Sequence, residues 1–185
     1  MLRALGVEFE AVATRVEEAT GGLPPEELVV ANARRKAIAG LKLVERAEPG
    51  VVDVALGVDT DVFLDGRALG KATTEEEARR RLLALSGRTH EVLSGVALAG
   101  DSLTTGVARS RVTFVEIDEQ TLARYLHSGE WRDRAGAYAI QGLGAILVAS
   151  VDGDFSNVVG LPMQLLVDLA PGLFPSFPAT PRDPA

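Results

Sequence analysis

The amino-acid sequence predicts an α/β fold with a mixed β-sheet. Along its 185 residues, apolar positions recur at helical spacing in some segments and form short β-branched runs in others. The helices and strands that these patterns predict intermix without strict alternation, which favours a mixed sheet over a fully parallel one. The chain is 46% hydrophobic and 24% charged, so we expect both a buried core and a soluble surface.

Composition excludes several classes of protein. The chain has no cysteine, which excludes disulfides, thiolate zinc sites and cysteine nucleophiles. Its net charge is −7, and it lacks the basic footprint of a nucleic-acid-binding protein. No apolar run reaches the roughly 18–20 residues that span a membrane, and the first residues lack a signal-peptide core. We therefore expect a cytoplasmic protein that binds neither nucleic acid nor a membrane.

The first predicted elements are a helix end, a strand and a long helix. Residues 1–5 have the pattern of a last helical turn, with Gly6 just beyond it. In residues 7–11, apolar side chains alternate with glutamates, which predicts a half-buried strand. Apolar positions recur at helical spacing over residues 26–43, and Pro25 suits the first turn of that helix.

The rest of the chain predicts alternating blocks of strand and helix. Residues 54–64 are rich in β-branched side chains, which predicts a strand closed by the Asp65-Gly66 turn. Thr74 and Glu77 form a capping-box pattern at the start of a helix. Further predicted elements are a helix over 74–85, strands over 89–98 and 106–117, a helix over 118–127, a polar loop over 129–144, a strand over 146–151 and a helix over 162–169. The predicted domain covers residues 1–170, and an extended, mobile, proline-rich tail covers residues 171–185.

Several familiar motifs are incomplete in this sequence. Residues 66–72, GRALGKA, lack the spacing and the terminal hydroxyl residue of a P-loop. Residues 142–144 lack the third glycine of a dinucleotide-binding fingerprint. There is no Gly-x-Ser-x-Gly elbow, and there are only two histidines. These classes of site are therefore not expected.

Asp59 and Asp61 are the best candidates for chemistry, because they interrupt an otherwise apolar strand. Their i and i+2 spacing puts both carboxylates on one face, about 6.5–7 Å apart. A buried carboxylate is costly unless it is neutralised, and magnesium with phosphate would neutralise it. The alternative is a strand end whose carboxylates are simply solvated. The spacing alone leaves both interpretations open.

Four other residues also have both a functional and a structural interpretation. Lys71 follows the predicted turn and could contact phosphate at the same strand edge, or be an ordinary surface lysine. Lys36 has the pattern of a helical surface charge. Gln141 is a loop amide that could contact a nucleobase edge or cap a turn. His90 stands at a strand entry, and its structural interpretation is favoured.

Four strings that occur in order make the sequence resemble one known family. They are LGVDTDVFLDGRALGKA, EEEARRRLLALSGRTHEVLSGVAL, SGEWRDRAGAYAIQGLGA and GDFSNVVGLP. Each string alone would be weak, but together and correctly separated they closely resemble the Maf family of septum-formation inhibitors and nucleotide pyrophosphatases. The resemblance runs from Met1 to about Leu169.

The resemblance implies a fold, an activity and a set of site residues. The implied fold has an elongated mixed sheet flanked by helices, with a central cleft. The implied enzyme is a dimeric nucleoside triphosphate pyrophosphatase that uses a divalent metal, Mg or Mn. By position, Asp59 corresponds to the proton acceptor for the attacking water and, with Glu18, to the metal-binding carboxylates. Lys36 and Lys71 correspond to phosphate-contacting lysines and Gln141 to a substrate-contacting glutamine; Lys71 with Gln141 is typical of the branch that acts on dTTP and UTP.

The sequence departs from the family pattern in two places. Members normally open with an apolar strand and a Ser-x-Ser-Pro-Arg-Arg loop, whereas Met1 here aligns after that loop, and Arg3 lies too far along to replace its arginines. We favour a start codon assigned too late. The alternative is a truncated, catalytically weak regulator of septum formation. Ala72 also stands where the family usually has proline, which would loosen the loop that carries Lys71.

Overall fold

The computed structural model describes residues 1–47 and 54–174. Its core is a five-stranded sheet with helices on both faces, so the predicted α/β class is confirmed. The elements are α1 (Pro25–Ala47), β1 (Ala55–Leu64), β2 (Arg67–Ala68), α2 (Glu75–Leu85), β3 (Thr89–Ala99), β4 (Leu103–Phe114), α3 (Glu119–Ser128), β5 (Val148–Asp152), α4 (Phe155–Val159) and α5 (Met163–Leu169). Short 3-10 turns cover Leu2–Leu5, Leu143–Leu147 and Pro171–Leu173.

The strands are ordered β2-β1-β3-β4-β5, and the pairing differs from the mixed arrangement that we expected. Every pairing among the described strands is antiparallel. The register explains why: Phe63 at the end of β1 lies opposite Glu91 at the start of β3. The connection through α2 therefore returns the chain beside the end of β1, whereas a parallel pair would need a crossover back to its start.

Helix α1 lies very close to one face of the sheet. Its Ala33 and Ala37 are fully buried against Ala97 and Ala99 of β3. Small side chains at such a contact allow the helix backbone to approach the strands. Consequently the polar residues of α1 that follow the same helical face are brought directly over β1 and β3.

The opposite face of the sheet carries two separate apolar clusters. The larger one joins α2, α3 and residues 131–147 to the sheet, with Tyr125 and Phe114 among its largest fully buried side chains. The smaller one packs α5 and the N-terminal turn onto Val96 and Leu98. A polar bridge lies between the clusters, where the Thr60 and Ser94 hydroxyls are 2.7 Å apart. On this face of the sheet, a cleft opens above Thr60, Val62 and Val92.

Most predicted elements are present, but the predicted strand over residues 7–11 is wrong. This segment has no regular structure and no strand partner within the described part of the chain. Phe9 is 45% exposed and lies beneath the Arg3 guanidinium, 5.2 Å from its ring centre. Alternation predicts a half-buried surface, but a strand also needs a neighbour for its backbone groups.

The C-terminal half contains three further differences. The strand predicted over residues 146–151 begins only at Val148, because a 3-10 turn precedes it, and the short helix α4 was not predicted. Pro171–Leu173 form a 3-10 turn, and Phe174 packs against the cluster around Leu166, so these residues are not an extended tail. Residues 175–185 of that predicted tail lie outside the described residues. No described helix combines the length and apolarity needed to cross a membrane.

Candidate functional site

The ammonium of Lys36 lies between two carboxylates. Its Nζ is 2.6 Å from Asp59 Oδ1 and 2.7 Å from Glu18 Oε1. It also donates to the Val58 carbonyl oxygen at 3.3 Å. Three residues from a loop, a helix and a strand therefore meet at one charged point. The structure gives Lys36 a specific set of partners, in place of the solvated surface position that its sequence pattern indicated.

The charges in this cluster stabilise one another. Burial opposes the charged form of Lys36, but its hydrogen bonds to Asp59 and Glu18 outweigh burial, and the pKa of Lys36 is raised. The hydrogen bond from Lys36 lowers the pKa of Glu18, despite partial burial, and the charge of Lys71 adds to that effect. The cluster brings two carboxyl groups and an ammonium together, and it is partly screened from water because Asp59 is only 8% exposed.

Asp59 and Asp61 share one face of β1, as predicted, but their carboxylates have different surroundings. Asp61 Oδ1 accepts hydrogen bonds from the backbone N–H groups of Val62 at 2.7 Å and Gly70 at 3.1 Å. Burial raises the pKa of Asp61. Asp61 therefore stabilises the hairpin that leads to Lys71, while Asp59 alone contacts the ammonium of Lys36.

Lys71 and Gln141 line a cavity of about 270 Å³ on the other face of β1. Thr60 and Val62 form its floor, since alternate residues of a strand point to opposite faces. Residue Lys71 is held there by a backbone bridge to Ala135. The lining of the cavity combines apolar and polar residues. Its remaining lining residues are Val92, Glu130, Asp133, Arg134, Ala135, Tyr138, Ala139, Ile140, Val158, Val159 and Gly160.

The predicted site residues thus form two neighbouring groups. Glu18, Lys36 and Asp59 are in direct contact, and Lys71 and Gln141 share the cavity. The effect of Lys71 on the pKa of Glu18 shows that the two groups are electrostatically connected. One edge of β1 pairs with β3, and on the other edge β2 pairs only with the last two residues, Phe63 and Leu64. The rest of that second edge has no strand partner within residues 1–47 and 54–174.

Asn32 also belongs to this site, and the sequence analysis missed it. It is 3% exposed, and its Nδ2 donates to Asp59 Oδ2 at 3.1 Å. Its spacing could have indicated it in the sequence, because Asn32 lies four residues before Lys36 on the same face of a predicted helix. A polar amide in the interior of a helix is uncommon unless its side chain has a partner.

The donor set around Lys36 fits a divalent cation. Glu18 and Asp59 already direct carboxylate oxygens at a cation, the lysine ammonium. Magnesium commonly takes one or two carboxylates together with substrate phosphates and water. Among the described residues there is no group of three or more His, Cys, Asp or Glu side chains that could hold a metal by itself. A cation held by Glu18 and Asp59 would therefore need further oxygen ligands from outside this set, such as water.

His90 is a residue of the core, as its structural interpretation predicted. It is 2% exposed and its Nε2 is 2.9 Å from the Tyr138 hydroxyl. Its ring also packs edge-on against Phe114, with the ring centres 4.9 Å apart. Burial lowers the pKa of His90 to about 4. The neutral imidazole is therefore part of the aromatic packing beneath the cleft.

His90→Phe is expected to make the protein less sensitive to acid. In the unfolded chain the histidine pKa is about 6.5, so between that pH and about 4 the unfolded state binds a proton that the folded state does not. The free energy of unfolding of the parent should fall as pH decreases through this window, by an amount on the order of 3 kcal/mol. Urea unfolding at neutral and acidic pH measures the slope. Equal slopes for parent and variant would contradict this assignment.

Comparison with known proteins gives consistent relatives over nearly the whole chain. The model of the family described as Maf-like protein matches residues 1–172. A protein of Dictyoglomus thermophilum named dTTP/UTP pyrophosphatase is 41% identical over 174 residues, covering 91% of this chain and 87% of that protein. A Bacillus cereus protein of the same name is 43% identical over 169 residues, covering 90% of this chain and 80% of that protein.

Proposed function

This chain belongs to the Maf family, and on that premise we propose that it is a nucleoside triphosphate pyrophosphatase. Its proposed reaction converts dTTP or UTP and water into the nucleoside monophosphate and pyrophosphate, which limits misincorporation into nucleic acids. The observation that supports this most strongly is the charged cluster of Glu18, Lys36 and Asp59 beside a cavity lined by Lys71 and Gln141. Two relatives that cover most of the chain carry the name dTTP/UTP pyrophosphatase.

We assign Asp59 as the general base. A water molecule that attacks the α-phosphorus must lose a proton, and a carboxylate placed beside the phosphate can accept it. The new bond joins the water oxygen to the α-phosphorus, and the bond from that phosphorus to the bridging oxygen breaks. Pyrophosphate leaves with the electron pair of that bond. The donors Lys36 and Asn32 each engage one Asp59 oxygen, which leaves further lone pairs for the water.

The positive groups offset the charge of the triphosphate. Lys36 and Lys71 would contact phosphate oxygens and stabilise the charge that develops on the leaving pyrophosphate. Glu18 and Asp59 are the residues that would hold a divalent cation, Mg²⁺ or Mn²⁺, which would supply further neutralisation of phosphate charge. The contacts of Lys36 with both carboxyl groups orient them for such a cation.

Gln141 is the proposed contact to the nucleobase. Its amide carries both donors and an acceptor, which matches a pyrimidine edge that presents a carbonyl oxygen beside an N–H group. The cavity that it lines also has apolar walls, including Val62, Val92 and Val158, against which a base ring can pack. We further propose a cytoplasmic homodimer, which rests on the family resemblance and is tested by light scattering.

Pyrophosphate release from a panel of nucleoside triphosphates tests the proposed function. The panel contains dTTP, UTP, dUTP, CTP, ATP, GTP and 7-methyl-GTP, each with Mg²⁺, Mn²⁺ or a chelator. We expect the highest kcat/KM on dTTP and UTP, and no release in the chelator. Preference for 7-methyl-GTP would overturn the assigned substrate class. If no nucleotide is hydrolysed although dTTP binds, the chain is a nucleotide-binding regulator and not an enzyme.

A further inference from the structure

Asn32 connects Asp59 to the backbone of the segment that carries Glu18. Its Nδ2 donates to Asp59 Oδ2 at 3.1 Å and to the Ala19 carbonyl oxygen at 2.9 Å. Its Oδ1 accepts from the Ala19 N–H at 2.9 Å and from the Arg35 guanidinium at 3.0 Å. A side-chain amide offers two N–H donors and two lone pairs. Every hydrogen-bonding position of this buried amide is therefore in use.

These partners also fix the orientation of the amide. If its oxygen and nitrogen were exchanged, Oδ1 would face two acceptors, the Asp59 carboxylate and the Ala19 carbonyl. At the same time Nδ2 would face two donors, the Ala19 N–H and the guanidinium of Arg35. Four repulsive contacts would replace four attractive ones. The network therefore directs an N–H of Asn32 at Asp59 in a single arrangement.

The contact with Ala19 determines where Glu18 lies. Glu18 belongs to a segment without regular structure, and its neighbour Ala19 is attached to α1 through both its N–H and its C=O. Such a two-point attachment restrains both the position and the rotation of the segment. The Glu18 carboxylate is consequently presented to Lys36 Nζ, which is also 2.6 Å from Asp59.

We propose that Asn32 is a positioning residue that holds Glu18 and Asp59 at a common distance from one divalent cation. This inference builds on the proposed function, because the cation is the one that the pyrophosphatase reaction would use. Residues that orient metal-binding carboxylates typically change metal affinity or activity about 10- to 100-fold when they are replaced. A buried amide with only a structural role would change the stability of the fold and leave the affinity for metal as it was.

Two substitutions separate these roles. Asn32→Leu keeps the branched shape of the side chain and removes all four hydrogen bonds, so Glu18 and Asp59 lose their common support. Asn32→Asp keeps the shape of the side chain and the acceptor for Ala19, but places a second carboxylate against Asp59. The charged groups around Asp59 and Asn32, unchanged in both variants, are Lys36 and Arg35 of α1, Glu18 of the preceding segment, Asp61 of β1 and Lys71 after the hairpin.

The first readout is Mn²⁺ binding, measured by electron paramagnetic resonance with a dTTP analogue that has a methylene between the α and β phosphates. We expect Asn32→Leu to raise the half-saturating Mn²⁺ concentration about 10- to 100-fold. Asn157→Leu is a matched control, since Asn157 is a fully buried amide that bonds to Val92 O and Ser110 Oγ. That control should destabilise the fold yet change Mn²⁺ binding by less than about twofold, because its partners are distinct.

The second readout is the pH profile of pyrophosphate release by Asn32→Asp. Like charges in contact raise the pH at which one of them ionises, so the acidic limb of kcat should move upward by about one pH unit or more. Unchanged Mn²⁺ binding in Asn32→Leu, at any melting temperature, would overturn the proposal. If the parent chain binds Mn²⁺ but hydrolyses nothing, and Asn32→Leu weakens that binding, only the proposed function is overturned. A parent that binds no Mn²⁺ overturns both.

Discussion

Asp59→Asn is expected to reduce kcat for pyrophosphate release by a factor on the order of 10²–10⁴. The asparagine amide has almost the shape of the carboxylate, and its oxygen can still accept from Lys36 Nζ, which lies 2.6 Å from Asp59 Oδ1. The change removes the negative charge that takes a proton from water, and it removes one of the two carboxylates directed at the cation. KM should change less than kcat, because the phosphate and base contacts proposed for Lys71 and Gln141 remain.

Asp61→Asn provides a matched control on the same face of the same strand. Asp61 accepts from two backbone N–H groups, and an asparagine oxygen can accept from the same groups. We expect a loss of less than about tenfold, because no charged partner or reacting water depends on Asp61. Steady-state kinetics on dTTP with both variants measures the difference. If Asp59→Asn keeps the parental kcat, or if the control loses more activity than Asp59→Asn, the assignment of the general base is wrong.

Gly95→Ala is expected to cause a large loss of stability for the addition of a single methyl group to the sheet. A Cβ at Gly95 would lie 2.6 Å from the Val30 nitrogen and closer still to the Val29 carbonyl, both in the backbone of α1. A helix backbone cannot move aside as a flexible side chain can, so α1 must shift off the sheet. Overpacking of this kind typically costs about 1–3 kcal/mol and occasionally more; we expect about 3 kcal/mol, measured by urea unfolding.

Two further substitutions test the same cause. At Gly57 an added Cβ would lie 2.5 Å from the Ala37 nitrogen, so Gly57→Ala should destabilise to a similar extent. Gly21→Ala is the control, because nothing lies within 4 Å of a Cβ at that position; its free energy of unfolding should stay within about 0.5 kcal/mol of the parent. A small effect at both Gly57 and Gly95 would show that α1 is not held as close to the sheet as described.

The close approach of α1 also couples stability to the site. Asn32 and Lys36 lie on the same helix as Ala33 and Ala37, which contact the sheet where Gly57 and Ala97 leave room. A displaced helix would carry the Lys36 ammonium and the Asn32 amide away from Asp59. Gly95→Ala should therefore lower activity per folded molecule as well as stability.

Local sequence patterns predicted the elements that depend on local physics. The apolar repeat of residues 26–43 gave the long helix because helical neighbours recur every three or four residues. The predicted helix caps at Thr74 and Asp118 are also present, because capping is a local interaction. The Thr74 side chain accepts from the Glu77 N–H, and Asp118 accepts from the Thr121 N–H. The strand predicted over residues 7–11 failed because a strand requires a partner, and alternation within one segment contains no information about partners.

The candidate site was only partly predictable from sequence. The resemblance to the Maf family identified Glu18, Lys36, Asp59, Lys71 and Gln141, and the i, i+2 spacing identified Asp61 as well. The spacing could not separate Asp59 from Asp61, because both point to one face of β1. The difference between them is which neighbour each one meets: a lysine ammonium for Asp59 and two backbone N–H groups for Asp61.

The sequence by itself determined the α/β class, the places of most helices and strands, and the family to which the site residues belong. The antiparallel pairing, the division of the candidate site between the two faces of β1, and the contact of Asn32 with Asp59 became visible only in the tertiary structure. The physical reason is the distance along the sequence over which each interaction acts. Helix periodicity and capping act over a few residues, whereas Asn32 and Asp59 are 27 residues apart in sequence. They meet only because glycine and alanine let α1 pack closely against the sheet.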